Sequence, residues 1–90
     1  MAAATHQADR TERIAVRLEV PRDAAGDLHA GVRTKLDRAA GADVLDVDVT
    51  GLQPRLNDLT VEADVRVRLA NGTATADLAD LVGVHDVTRR

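Results

Sequence analysis

The chain has 90 residues, none of them aromatic and none cysteine, and a formal net charge of −3 at pH 7. Those absences exclude stacking on a base or sugar, thiol catalysis and redox exchange, and the acidic balance speaks against a nucleic-acid partner, which needs a basic face. What remains is an aliphatic scaffold, 44% hydrophobic, with no apolar run near the ~20 residues of a membrane span and no secretory pattern at its start; a cytoplasmic, single-domain protein is expected.

Residues 1–11 are small and polar without an apolar period, and they read as a disordered tail before a folded domain over 12–90. Ile14, Val16, Leu18 and Val20 then recur at period two, with Arg17 and Glu19 between them. That is a half-buried strand, stopped by Pro21. Asp23 is placed to cap a following helix, along which Leu28, Val32 and Leu36 form one apolar stripe. Gly41 is a natural terminator, which makes this a helix of roughly 17 residues, ~25 Å long. Gly26 and Gly31 each weaken it by ~1 kcal/mol relative to Ala, and glycines so placed let a helix lie close to a sheet or a ligand.

A second strand is expected over 43–50, with Leu45, Val47 and Val49 inward and Asp46, Asp48 and Thr50 outward. Residues 51–58 follow as a long connection. In the third strand Leu59, Val61, Ala63, Val65, Val67 and Leu69 alternate without a break with Thr60, Glu62, Asp64, Arg66 and Arg68. Asn71-Gly72 marks a turn. A short helix over 75–82 ends at Gly83, and 84–88 is a brief last strand.

The order β-α-β-β-α-β is the split pattern of an α+β, ferredoxin-like sandwich: a four-stranded antiparallel sheet with two helices on one face and a polar opposite face. Its core consists of Leu, Val, Ile and Ala alone. A single core of this size rarely nets more than ~3–5 kcal/mol, so association into a homodimer, which buries further apolar surface, is expected.

The first loop, Val20 to Leu28, is the foremost candidate site. Exposed amides at a helix start suit a carboxylate or phosphate; the alternative is an Asp-capped helix with a packing glycine. The run of a strand, Asp23-x-x-Gly26-x-Leu28, a helix closed by Gly41 and a second strand resembles the start of an ACT domain. Leu78-x-x-Leu81-Val82-Gly83-Val84-His85-Asp86-Val87 is similar to that family's closing helix, turn and strand. The resemblance covers residues 12–90, although Ala25 stands where a proline is usual and the second helix is short. It implies a non-enzymatic regulatory module, often dimeric, that binds an amino acid or similar small effector. The contacts it implies are Asp23, Gly26, Asp27 and Leu28, with the facing second strand.

Leu52 and Leu56 lie in the otherwise polar 51–58 connection. They either fold back over the end of the core or form an interface; in the second case the chain is an adaptor that docks a larger partner through this loop or the polar sheet face. Catalysis finds little support. His6, His29 and His85 have no metal-ligand spacing, no cofactor motif is present, and no metal is expected. Asp46 and Asp48 share one strand face, where ion pairs with Arg17, Arg66 and Arg68 are a simpler use than acid–base chemistry.

Overall fold

In the computed structural model, which describes residues 9–90, β1 (Arg10–Pro21) and β3 (Asp58–Leu69) pair antiparallel from Arg10 opposite Leu69 to Pro21 opposite Asp58 without a register shift. β2 (Ala42–Pro54) and β4 (Val84–Arg89) add to the two outer edges, giving the strand order β2-β3-β1-β4. α1 (Leu28–Leu36) and α2 (Thr75–Ala79) complete the chain order β-α-β-β-α-β. This is the ferredoxin-like arrangement, with the first and third strands central. Most of the proposed tail lies outside the described residues, but Arg10 and Thr11 belong to β1, opposite Leu69 and Arg68.

Period-two alternation puts Ile14, Val16, Leu18 and Val20 of β1 on the same side as the apolar set of β3, Leu59 through Leu69. All ten are buried, together with Val32 and Leu36 of α1 and Leu78 of α2, in one cluster. Leu28, Leu81 and Val87 pack against its margin. Among the described residues no helix is long and apolar enough to cross a membrane.

Three elements differ from the sequence reading. β2 carries bulges between Val44 and Asp46 and between Val49 and Gly51. A bulge adds one residue to one strand and resets its alternation, so Val44 and Val47 are buried while Leu45 is only half-buried. The 51–58 connection is mostly strand: β2 runs to Pro54, and Arg55 N–H donates to the Asp58 carbonyl at 2.8 Å across a tight turn. Gly51 and Pro54 do not end the strand because β2 is at the sheet edge, where one side needs no ladder bonds. Finally, the expected 17-residue helix is a 3-10 turn over Arg22–Gly26 followed by α1 of nine residues.

Gly41 joins α1 to β2 at φ +83°, and a Cβ there would collide with Thr73 Oγ1. Gly72 has a similar φ of +88° but open space around it. Gly72→Ala should therefore cost only the left-handed strain, ~1–2 kcal/mol. Gly41→Ala should cost that plus an overpacking penalty of ~1–3 kcal/mol, most of what the domain has. Urea midpoints of the two variants measure the difference; equal midpoints would contradict the contact with Thr73.

Candidate functional site

The first loop is built by competition between two aspartates for one helix. Asp27 Oδ1 accepts the Ala30 N–H at 3.1 Å, and Asp27 adopts φ −152°, ψ 83°, which breaks any helix arriving from its N-terminal side. The preceding residues tighten instead into the 3-10 turn, closed by Asp27 N–H to the Ala24 carbonyl at 2.9 Å. Asp27, not Asp23, is thus the cap. Asp23 stays exposed in the turn.

Between this turn and α1 lies a groove of ≈ 470 Å³. Pro21, Ala24, Gly26, Ala30 and Gly31 line it together with Asp23, Asp27, Thr34, Lys35 and Arg38. The lining is mostly carbon: Asp27 Oδ1 is taken by the Ala30 amide, and the Lys35 ammonium lies beside Gly83, outside the groove. Gly31 allows the turn and helix to approach: a Cβ there would stand 3.1 Å from Ala24 Cβ and 3.6 Å from Val20 Cγ1. A Cβ on Gly26 would meet nothing within 4 Å, so Gly26 opens onto free space. Of the four residues proposed from the sequence, Asp23, Gly26 and Asp27 meet at this groove. Leu28 is not part of its lining and packs against the core. Thr34, Lys35 and Arg38 are the groove residues the sequence reading missed.

Leu52 and Leu56 close no core. Leu52 sits in β2 opposite Val61 at 49% exposure, and Leu56 is 89% exposed in the hairpin turn.

The sheet face away from the helices is the second polar surface. Asp46 and Asp48 do not make the expected ion pairs there: Asp46 Oδ1 accepts the Val47 N–H at 3.0 Å, and Asp48 stands opposite Asp64. The ion pairs form elsewhere on that face, Asp43 with Arg68 at 2.7 Å and Asp64 with Arg90 at 2.8 Å. Near the hairpin a hollow of ≈ 580 Å³ is lined by Arg17, Glu19, Gln53, Thr60, Glu62 and His85 among others. His85 Nε2 lies 3.1 Å from Glu19 Oε2. The Thr60 hydroxyl is buried and makes no hydrogen bond among the described residues. His29 is exposed on α1, and His6 lies outside the described residues. No group of three or more potential metal ligands occurs among the described residues.

Comparison with models of known families, with curated proteins and with solved structures found no match. The groove and the sheet face therefore carry the functional reading by their own chemistry.

Replacing the cap separates the two aspartates. Asp27→Ala should lower stability by ~0.5–2 kcal/mol, and Asp23→Ala should change it by no more than ~0.5 kcal/mol, as at other surface sites. Chemical denaturation of both variants checks the assignment; the reverse order would return the cap to Asp23.

Proposed function

We propose that the chain is a small non-catalytic regulatory module that self-associates and binds a small zwitterionic effector, of amino-acid size, in the groove between the first loop and α1. The observation that carries this reading is the convergence of Asp23, Gly26 and Asp27 with Arg38 around a largely carbon-lined groove. Ligand sites commonly combine an apolar lining with a few polar groups that fix orientation. Here the Asp23 carboxylate offers a partner for an ammonium group, and the Arg38 guanidinium offers one for a carboxylate. The reading agrees with the ACT-like pattern of the sequence. Regulation would be by linkage: an effector that prefers the associated state shifts the chain toward it.

A melting-temperature screen against amino acids and related zwitterions tests the groove. A ligand present at 100 times its dissociation constant stabilises by ~2.7 kcal/mol, a shift of more than ~10 °C for a domain of this size. Gly26→Val should melt as the parent does without ligand, because its side chain points into open space, and should lose the shift. If no zwitterion moves the parent's melting temperature, or if Gly26→Val responds as the parent does, the effector reading is wrong.

A second reading, an adaptor docking a larger partner, is favoured by the exposure of Leu52 and Leu56. Pull-downs with the parent and with the Leu52→Asp, Leu56→Asp double variant test it. Recovery of the same partners by both would remove the hairpin from consideration.

A further inference from the structure

We propose that the open face of the sheet is the interface of a two-fold homodimer, in which two copies pack face to face with the basic end of each over the acidic end of the other. This rests on the self-association in the proposed function and not on the groove.

The strand register orders the charges of this face along the strands. Toward the start of β1, Arg13, Arg66, Arg68 and Arg90 gather against Asp43 and Asp46. Toward its end, Asp48, Asp64, Glu62, Asp86 and Glu19 gather around Arg17, with Arg55 beyond them at the hairpin. The face is therefore a dipole, with its positive and negative ends adjoining at the middle of the sheet. An isologous contact places one patch against the same patch of a second copy, and a dipolar patch satisfies itself when the two copies run in opposite directions.

The pairing inside one copy is unfavourable where the two ends meet. Arg13 stands directly opposite Arg66, and in the neighbouring row Asp48 stands opposite Asp64. Like charges directly opposite each other on a sheet are destabilising. Arg90 relieves Asp64, but among the described residues no ion pair within 4 Å reaches Arg13, Arg66 or Asp48. A reversed second copy sets the arginine-rich end of one face over the carboxylate-rich end of the other.

Size and the state of the edges agree. Strand spacings of ~4.8 Å and rises of ~3.3 Å per residue give a face of roughly 600–700 Å² per copy, so two copies bury more than the ~1,000 Å² total that a specific interface needs. Three hollows, of ≈ 580, ≈ 490 and ≈ 210 Å³, indent this one face and leave room for side chains of a facing sheet. At the β2 edge, association by strand addition is the less suited alternative. β2 is bulged twice, and Arg33 Nη1 of α1 donates to the Val44 carbonyl at 2.8 Å at its edge; both devices oppose strand addition.

A charge-exchange experiment tests the proposal, read by sedimentation equilibrium. The parent chain should have twice the mass of its 9.6 kDa monomer and should shift toward monomer in 1 M salt, where the screening length falls to ~3 Å. The Arg13→Glu, Arg66→Glu variant presents an acidic face and should be monomeric. The Asp48→Lys, Glu62→Lys variant presents a basic face and should also be monomeric. All four positions are exposed, so both variants should remain folded, melting below the parent by the stability that association contributes. Mixed in equal amounts, the two should form a heterodimer. A parent that is monomeric throughout overturns both this interface and the self-association on which it rests. Variants that both remain dimeric overturn the interface and leave self-association standing. Monomeric variants that do not recombine on mixing overturn the complementarity.

Discussion

The fold depends on the unshifted pairing of β1 with β3. In a chain without rings, no single residue contributes a large buried surface, so the core is a sum of small aliphatic side chains held in two adjacent columns. A one-residue slip between the two strands would turn one of these columns toward water. The irregularities of the sheet are accordingly placed outside this central ladder: two bulges where β2 joins β3, and a shift between Arg17 and Leu18 where β4 joins β1. The centre stays regular and the edges absorb the misfit.

That division also explains what the sequence could and could not disclose. β3 is paired on both sides and covered on one face, so its alternation is unbroken, and every inward residue could be read from periodicity alone. β2 is at an edge, where bulges are tolerated, and the adjacent Val44 and Leu45 offered two phases for one strand. The apparent phase set by Leu45, Val47 and Val49 was the wrong one at its first member. Residues 51–58 read as a connection because the strand's exposure on one side is not visible in the sequence. At the first loop, Asp23 and Asp27 were equivalent as caps by residue type, and only the Asp27 backbone conformation distinguishes them.

The groove was half legible for a similar reason. Asp23, Gly26 and Asp27 are near one another in the chain, so a local motif was enough to group them. Lys35 comes from the last turn of α1 and Arg38 from the turn beyond it, and both required a helical reading: Asp27, Gly31 and Lys35 share a four-residue spacing, as do Ala30, Thr34 and Arg38. That signal was present but weaker than the apolar stripe beside it. The groove lies in the helical layer and the dipolar surface on the opposite side of the sheet. β1 contributes to both, with Pro21 at one and Arg13 and Arg17 at the other. Any communication between effector and second copy would thus be transmitted by the strand with the most regular pairing.

The brevity of α2 has a dynamic consequence. Five residues are far too few for a helix to persist by itself, and this one is anchored to the core by Leu78, with Asp77 Oδ2 accepting the Ala74 N–H at 2.8 Å at its start. The short β4 follows directly and pairs only with β1. The last quarter of the domain is therefore expected to open more readily than β1, β2 and β3, to which Leu78 and Val84 tie it through the common core. Amide hydrogen exchange would register it as two protection classes within one small domain.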